Sequence, residues 1–338
     1  MAGHVIEKSN GPNAKKMLSI VIPAYNEEPG IESAVLTIKE ILEPIDIQWE
    51  IIIVDDGSQD QTFKVVSTVS GRENRIKGIR FSRNFGKESA VLAGLKLAQG
   101  DAVITLDADL QHPPKMIPPM VEKWREGAKV VNAVKRRRGS DSVFKRLRAK
   151  IFNSFVTKYG GIDLRDSSDF KLLDRLIVDT IVTVFPERKR FYRGLTNWVG
   201  FKNENLYFDV EERQLGESKW GIKQLFGLAT TAIVSFSSAP LRIVTFLGMV
   251  TMVFAFFVAA ETLISWFTGH AVSGFATIIL TLLILGSFIM ISMGIIGEYI
   301  AKIYDEIKQR PPYLIEDVIG IVQEEKDPIE IPEMKKTP

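Results

Sequence analysis

Residues 103–114 read Val-Ile-Thr-Leu-Asp-Ala-Asp-Leu-Gln-His-Pro-Pro, and the rest of the chain is organised around this stretch. Its first four residues are mostly apolar and predict a short buried strand, which the two prolines end before a helix begins. In an extended segment Asp107, Asp109 and Gln111 point the same way and present three oxygen donors to one point. Hard cations such as Mg²⁺ or Mn²⁺ prefer such ligands and share them with a substrate's phosphates. The stretch therefore predicts a metal site; the alternative is a strand that ends in a polar turn.

The residues upstream alternate between apolar strands and helices. Strands are predicted over 18–22, 49–54 and 76–81, and helices over 31–42 and 88–98. This alternation is typical of an α/β fold whose mostly parallel sheet is covered on both faces, with ligands bound at the carboxyl ends of the strands. Three of those ends are unusually polar, so we expect one shared site. No Gly-x-Gly-x-x-Gly run and no phosphate-binding loop follows a strand, which argues against a dehydrogenase and a P-loop enzyme.

The composition excludes several kinds of site. The 338 residues include no cysteine, which rules out disulfides, zinc–thiolate sites, iron–sulfur clusters and a cysteine nucleophile. A Ser-His-Asp triad would have to rest on His112, and no nucleophile elbow surrounds it. The net charge of +2 gives no indication of nucleic-acid binding, and no nucleic acid is expected as a partner.

Two apolar stretches near the C-terminus are long enough to cross a membrane. Residues 243–266 contain one acidic residue and no basic one, and residues 275–297 contain no charge. At about 1.5 Å of rise per residue, each stretch spans a hydrocarbon core of roughly 30 Å as a helix. Lys and Arg flank the pair and are absent from the link between them, so the positive-inside rule places both flanks in the cytoplasm. The alternative is a helical hairpin buried in a soluble core.

These patterns divide the chain into six parts. We expect a disordered N-terminus over 1–16, a catalytic domain over 17–220, a juxtamembrane amphipathic segment over 221–242, transmembrane helices over 243–266 and 275–297, and a cytoplasmic helix and tail over 298–338. The juxtamembrane segment is predicted either to lie on the membrane surface or to pack on the catalytic domain as an ordinary helix. From Pro311 onward the composition predicts a mobile, loop-like tail.

Basic residues cluster over 135–138, 145–150 and 188–193, and the last cluster also contains aromatic residues. Each cluster could be an ordinary solvated face. Their position before the apolar stretches raises two further interpretations, which are attraction to an anionic lipid surface and phosphate binding by particular arginines. The candidates for drawing two anionic substrates together are Arg137, Arg148, Arg190 and Arg193, the first two for an acceptor phosphate.

Several segments resemble the family 2 inverting glycosyltransferases of the GT-A fold. They are 19–28 (Ser-Ile-Val-Ile-Pro-Ala-Tyr-Asn-Glu-Glu), 54–58 (Val-Asp-Asp-Gly-Ser) and 106–113 (Leu-Asp-Ala-Asp-Leu-Gln-His-Pro). Three more, 82–88 (Ser-Arg-Asn-Phe-Gly-Lys-Glu), 190–195 (Arg-Phe-Tyr-Arg-Gly-Leu) and 297–304 (Gly-Glu-Tyr-Ile-Ala-Lys-Ile-Tyr), resemble the polyprenyl-phosphate glycosyltransferases, which include dolichol-phosphate mannose synthase and bactoprenol glucosyltransferases. The resemblance implies a Rossmann-like GT-A catalytic domain with a mostly parallel sheet, plus a C-terminal two-helix transmembrane hairpin.

The resemblance also implies roles for individual residues. Those implied to bind the nucleotide sugar are Pro23, Tyr25, Glu27, Asp56, Lys87, Asp107, Arg213, Ser218 and Lys219, of which the last three lie in a loop that closes on phosphate groups. The metal would be held by Asp107, Asp109 and Gln111. Asp166 precedes a Phe-Lys-Leu stretch as the family's candidate base does. The residues between differ from those common in relatives, so Asp169 is a second candidate.

The implied reaction is the metal-dependent, inverting transfer of a hexose to a polyprenyl phosphate. The expected donor is UDP-glucose, the acceptor is undecaprenyl phosphate, the cofactor is Mg²⁺ or Mn²⁺, and the location is the cytoplasmic face of the plasma membrane. The resemblance also implies a homo-oligomer, with a tetramer as the first candidate. One alternative is a processive polysaccharide synthase, whose usual Gln-x-x-Arg-Trp motif and additional spans are absent here. The other is a non-catalytic membrane scaffold on a degenerate transferase fold, which would be expected to lose Asp107, Asp109 or the loop around Arg213.

Overall fold

A single mixed sheet forms the centre of the part of the chain that precedes the two apolar stretches. The computed structural model describes residues 15–136, 168–185, 192–209, 239–269 and 274–321. Eight strands lie in these ranges: β1 Met17–Ala24, β2 Gln48–Asp55, β3 Ile76–Phe81, β4 Ala102–Thr105, β5 Val130–Lys135, β6 Lys171–Asp174, β7 Asn203–Phe208 and β8 Ile315–Ile319. Their order across the sheet is β7-β5-β6-β4-β1-β2-β3-β8.

The strand directions make the sheet mostly parallel. β4, β1, β2 and β3 run parallel to one another, and β5 is parallel to β7. The two exceptions are β6, which runs antiparallel between β4 and β5, and β8, which runs antiparallel along β3. The predicted α/β class and the mostly parallel GT-A-like sheet are confirmed.

Helices cover both faces of this sheet. They are α1 Ile31–Leu42, α2 Thr62–Arg72, α3 Lys87–Leu97, α4 Ile117–Arg125, α5 Arg175–Asp179 and α6 Tyr192–Trp198, with a 3₁₀ turn at Pro114–Met116 before α4. Successive strand side chains point to opposite faces, so Ile20 and Ile22 pack with α1, α2 and α4, whereas Val21 packs with α3 and α5. The strands predicted over 18–22, 49–54 and 76–81 and the helices over 31–42 and 88–98 are confirmed to within two residues at each end.

Two elements were not expected from the sequence. β6 is a four-residue strand that follows a segment rich in charge, and its Lys171 is fully buried. β8 lies within the tail that was predicted to be a loop, so that prediction is wrong for Ile315–Ile319. The open edge of β3 offers unpaired backbone groups, and pairing along it orders a segment whose own composition favours a loop. The sheet therefore includes residues from beyond the two apolar helices.

The apolar stretches form two long helices. They are α7 Ala239–Phe267 and α8 Phe275–Ile307, and each encloses the stretch predicted from the sequence. Pro240–Phe267 and Ile278–Ile307 are long and apolar enough to cross a membrane, as judged by length and composition, and neither is buried within the protein. A hairpin enclosed in a soluble core therefore does not describe them. Of the other predicted parts, residues 1–14 and 210–238 lie outside the described residues.

Candidate active site

Four loops meet at one edge of the sheet. Ala24 lies opposite Asp55 in the register of β1 and β2, Asp55 lies opposite Arg80 of β3, and Val21 lies opposite Thr105 of β4. The segments that follow these strands therefore leave the sheet side by side at its carboxyl-terminal edge. This is where parallel sheets of the α/β class bind their ligands, and the prediction of one shared site is supported by the geometry.

The loops after β1 and β2 hold each other. The backbone amide of Asn26 donates to Ser58 Oγ at 2.9 Å, and the amide of Gln59 donates to Asn26 Oδ1 at 2.9 Å. Between these contacts Gly57 has φ +68°, and a Cβ there would lie 2.4 Å from the carbonyl carbon of Arg83. Only glycine fits this position, because the turn needs a left-handed backbone pressed against the loop after β3. Tyr25 stands at the rim and is 41% exposed.

Asp56 braces the loop after β3. Its carboxylate accepts hydrogen bonds from the amides of Phe85 at 2.7 Å and Gly86 at 2.9 Å. Burial raises the pKa of this carboxyl group, and the two amide donors oppose that effect. The side chain was predicted to bind the nucleotide, a role that stays a prediction; the structure gives it a second one, which is to position the first residue of α3, Lys87.

Lys87 is the centre of the site. Its ammonium lies 2.6 Å from Asp107 Oδ1 and 2.9 Å from Asp169 Oδ2, so it joins the loop after β4 to the residue two positions before β6. Burial lowers the pKa of Lys87, but the two carboxylates outweigh it and the net effect is a raised pKa. Lys87 is therefore charged at neutral pH. A small pocket opens here, lined by Pro23 of β1 and by Glu88 and Val91 of α3, besides the three charged residues.

A buried hydroxyl pair fixes the backbone beside Asp169. Thr105 Oγ1 donates to the carbonyl oxygen of Asp169 at 2.6 Å and lies 3.1 Å from the Tyr192 hydroxyl. Since Thr105 has one hydroxyl proton, Tyr192 is the donor of the second bond. Burial raises the pKa of Tyr192, which keeps that proton in place. The amide of Tyr192 donates to Glu88 Oε2 at 3.0 Å, so the same residue also ties α6 to α3.

The loop that carries the predicted metal ligands turns rather than extends. β4 ends at Thr105, Leu110 has φ +51°, and the amide of Gln111 donates to Asp109 Oδ1 at 3.0 Å. The extended geometry that would aim three donors at one point is therefore wrong. Asp109 and Gln111 are exposed, while Asp107 is half-buried. The polar residues after the strand favour such a turn through side-chain bonds to nearby amides.

The donor set still fits a hard divalent cation. The described residues contain no ready-made group of three or more His, Asp or Glu side chains around one point. Mg²⁺, however, is commonly held by one or two carboxylates together with substrate phosphates. Asp107 already bears a cation, the Lys87 ammonium, and Asp109 lies two residues away in the same turn. These two carboxylates fit a metal that arrives with a diphosphate.

His112 is a neighbour of this turn that the sequence analysis did not place in the site. Its ring lies between Phe170 and Phe208, at centroid distances of 5.7 and 5.8 Å. Its Nδ1 is buried and has no hydrogen-bond partner in the part of the chain that the structure describes. Burial lowers the pKa of His112 against the opposing effect of three nearby carboxylates. The ring is therefore neutral at pH 7 and is an uncharged polar group near these three carboxylates.

The structure brings together some of the predicted site residues. Pro23, Lys87, Asp107 and Asp169 line the pocket, and Asp56 holds the loop beside it. Arg193 lies in α6, and its side chain is not described. Seven further predictions lie outside the described residues: Arg137, Arg148, Asp166, Arg190, Arg213, Ser218 and Lys219. Glu88, Thr105, Tyr192 and His112 were not predicted. Glu88 and Tyr192 lie inside the quoted segments 82–88 and 190–195, which was the available signal.

Comparison with known proteins identifies the family. The family model described as glycosyl transferase family 2 matches residues 19–201, more than half of the chain. A glycosyltransferase of Synechocystis sp. is 41% identical over 306 residues, which is 90% of this chain and 96% of that relative. The chain belongs to glycosyltransferase family 2. As a member of that family it is an enzyme, and the strand-end site described above is its candidate active site.

Other relatives of this family 2 glycosyltransferase have more specific names. The prophage bactoprenol glucosyl transferase homolog of Escherichia coli is 37% identical over 89% of this chain and 99% of its own length. Bactoprenol glucosyl transferase of Shigella phage SfII is 36% identical over 88% and 97%. Among solved structures, glucosyl-3-phosphoglycerate synthase from Mycobacterium tuberculosis in complex with Mn²⁺ and UDP-glucose aligns with 65% of this chain and 77% of its own, with a TM-score of 0.45 and 19% identity.

Proposed function

We propose that this family 2 enzyme transfers glucose, or a closely similar hexose, from a UDP-sugar to a polyprenyl phosphate at the cytoplasmic face of a membrane. Two near-full-length relatives carry the name bactoprenol glucosyl transferase at 36–37% identity. Both alignments extend into the two long apolar helices. A transferase that acts on a soluble acceptor would not need such helices. The membrane-spanning hairpin and the cytoplasmic position of both flanks are part of this proposal.

The observation that carries the proposal is the attachment of the site to the apolar helices. α8 ends at Ile307, and seven residues later the carbonyl of Leu314 accepts a hydrogen bond from the amide of Ser82 at 3.0 Å. Tyr313 stacks on Phe81 at a centroid distance of 4.9 Å. Seven residues reach at most about 25 Å. The loop that leads to Lys87 is thus tethered close to the end of α8, where the phosphate of a lipid in the bilayer would be presented.

A phosphate acceptor suits the chemistry of this site. By analogy with other phosphate monoesters its second pKa is about 6, so at pH 7 it is mostly a dianion and is already nucleophilic. An acceptor oxygen attacks the anomeric carbon, the bond from that carbon to the β-phosphate oxygen breaks, and UDP leaves with the electron pair. One such displacement inverts the anomeric centre, so an α-linked donor gives a β-linked lipid phosphate.

The residues of the site have distinct tasks in this scheme. Asp107 and Asp109 would hold a divalent metal, which would supply positive charge to neutralise the diphosphate as it leaves. Lys87 supplies a further positive charge next to Asp107. Because a dianionic acceptor needs no strong base, the carboxylate of Asp169 or of Asp166 would orient the acceptor and complete its deprotonation. Arg137 and Arg148 remain the candidates for holding the acceptor phosphate, and Arg190 and Arg193 are the further candidates for drawing the two anionic substrates together.

The experiment that tests the proposal follows radiolabel from donor to lipid. Purified protein is incubated with Mn²⁺ or Mg²⁺, undecaprenyl phosphate and each of a panel of labelled nucleotide sugars. We expect label from UDP-glucose in the organic phase, and its loss in Asp109→Ala. Label from no donor, with the protein folded, would refute the transferase proposal for this acceptor. Light scattering of the same sample tests the homo-oligomer, with the tetramer as the first expectation.

A further inference from the structure

Lys87 contacts one of the two carboxylates that fit a divalent cation, that of Asp107. Its ammonium contacts Asp107 Oδ1 at 2.6 Å and Asp169 Oδ2 at 2.9 Å. These side chains come from the turn after β4 and from the residues before β6. Two carboxylates that approach one point from separate elements repel each other unless a cation lies between them. In this structure Lys87 is that cation.

The location of Lys87 on its helix supports a role in the site. It is the first residue of α3, where the partial positive charge of the helix dipole disfavours another cation. Gly86, with φ +97°, and the amide bonds to Asp56 hold the chain in the conformation that starts α3 there. The placement therefore works against helix stability, and the contacts with Asp107 and Asp169 offset it.

We propose that Lys87 is an internal counter-cation that competes with the divalent metal for Asp107 and moves to the donor's diphosphate when metal and nucleotide sugar bind together. The inference rests on the proposed function, because it assumes a metal that arrives with a sugar nucleotide. Lysine has a compact charge on a flexible four-carbon stem, so its ammonium can move between acceptors a few ångström apart without backbone movement. Departure of Lys87 also removes the ammonium from the Asp169 carboxylate.

This exchange explains how the site could avoid binding metal without substrate. With Lys87 in place, Asp107 has one oxygen already engaged, and a divalent ion must displace a charged partner. When the ion comes with a diphosphate, the displaced ammonium gains a new anionic partner. Metal and donor would then bind with positive coupling, each raising the affinity of the protein for the other.

The test is Mn²⁺ binding measured by electron paramagnetic resonance, which counts free ion and needs no turnover. Lys87→Met is compared with wild type and with Lys115→Met, which removes an exposed lysine close to the same turn. Since a unit charge within about 4 Å of a carboxylate interacts strongly with it, we expect Lys87→Met to bind Mn²⁺ at least about tenfold more tightly in the absence of nucleotide. Lys115→Met should match wild type within about twofold. Unchanged or weaker binding by a folded Lys87→Met would overturn the inference.

A second measurement uses the wild-type protein and does not depend on how the variant folds. Acetic anhydride labelling of Lys87, read by mass spectrometry of peptides, reports the accessibility of its ammonium. Mn²⁺ alone, at saturation, should increase labelling of Lys87 by displacing it, and UDP-glucose added with Mn²⁺ should reduce labelling again. Lys115 should not respond to either addition. No change at Lys87 on adding Mn²⁺ would contradict the exchange.

Lipid transfer assayed on the same samples separates this inference from the proposed function. Transfer by wild type together with equal Mn²⁺ affinity in wild type and Lys87→Met refutes only the role of Lys87. If Lys87→Met binds Mn²⁺ more tightly but wild type transfers sugar from no donor, the result supports the counter-cation role of Lys87 and refutes the proposed reaction.

Discussion

Replacement of Arg80 by Met should destabilise the catalytic sheet, because it leaves the buried carboxylate of Asp55 without its charged neighbour. Asp55, at the end of β2, is fully buried. Its Oδ1 accepts a hydrogen bond from the amide of Ser58 at 3.0 Å, and its Oδ2 has Arg80 Nε as a charged neighbour at 3.6 Å. The same guanidinium lies 3.5 Å from Glu316 of β8 and donates to the carbonyl of Ser58. Arg80→Met removes all three contacts but keeps most of the apolar stem.

The expected magnitude follows from the burial of the two partners. Removing one partner of a fully buried pair typically costs about 3–5 kcal/mol. Arg80 is 36% exposed and its distance to Asp55 is long, so solvent screens the pair and we expect a loss of about 2 kcal/mol. Glu316 is itself 54% exposed, so Glu316→Gln weakens only a solvent-screened contact with Arg80 and should cost less than about 0.5 kcal/mol. That variant is the matched control.

The pH dependence of the stability loss gives a second, independent test of this prediction. Burial already raises the pKa of Asp55, and Arg80 is among the groups that oppose this rise. Without Arg80 the folded-state pKa of Asp55 rises further above its unfolded value. An acid with a raised folded-state pKa destabilises the fold at high pH and is relieved as pH falls through that pKa. The deficit of Arg80→Met should therefore shrink as the pH falls below neutrality.

The assay is urea unfolding of the purified protein in detergent, followed by the fluorescence of the buried Trp49 and Trp124. Asp55→Asn in the Arg80→Met background removes the unpaired charge, so the double variant should recover part of the lost stability. A deficit below about 0.5 kcal/mol for Arg80→Met, or one that grows as the pH falls, would show that Arg80 does not stabilise the buried Asp55 carboxylate.

Three further predictions concern the turn, the surface and the buried hydroxyls. Gly57→Ala should lower stability by more than about 2 kcal/mol and raise the KM for the donor, because of its positive φ and the close approach to Arg83, as measured by unfolding and initial rates. Glu73 has a pKa lowered to about 2, chiefly by its bond from an arginine, so it stabilises the fold above pH 4.5 and loses that effect as pH falls towards 2. After allowance for solvent screening, Glu73→Gln should cost about 1 kcal/mol at pH 7 and almost nothing at pH 2; an equal cost at both would count against this pairing. Tyr192→Phe should reduce kcat about tenfold with little change in the melting temperature, because Thr105, which donates to the carbonyl of Asp169, loses the hydroxyl bond that orients it; a change confined to stability would show that Tyr192 has only a structural role.

The parts of the fold that the sequence predicts well are those whose signal is local. β1, β2 and β3 are continuous apolar runs, and α1 has a regular apolar face, so their period and length identify them without knowledge of the partners. The polar ends of three strands also predict a shared site, since parallel strands bring their carboxyl ends to one edge. The family membership rests on the same segments.

The parts that were missed depend on long-range pairing. β8 is ordered by the free edge of β3, more than two hundred residues earlier in the chain, and its own composition favours a loop. β6 is short and contains Lys171, whose burial is made possible by a hydrogen bond to Thr196 Oγ1 at 2.6 Å. No local sequence pattern predicts the pairing of β8 with β3 or of β6 with its neighbours. A sequence period therefore cannot predict these two strands.

In the site, too, the sequence predicts the features that depend on local pattern and misses those that depend on long-range contacts. Asp107 and Lys87 were identified as residue types in the right segments, but their direct contact depends on how α3 meets the turn after β4. The turn at Leu110 was missed because alternation predicts side-chain direction only where the backbone stays extended. The role of Tyr192 depends on contacts of α6 with α3 and β4, and these contacts can be seen only in the folded structure.

The most direct test of the central claim is the structure of the lipid product. Membranes that contain the enzyme are incubated with UDP-glucose and undecaprenyl phosphate, and the product is examined by mass spectrometry and by the anomeric coupling in its NMR spectrum. We expect one hexose on one phosphate, β-linked, and no product from Asp107→Asn. An α-linked product, a sugar on a diphosphate, or undiminished product from Asp107→Asn would contradict it.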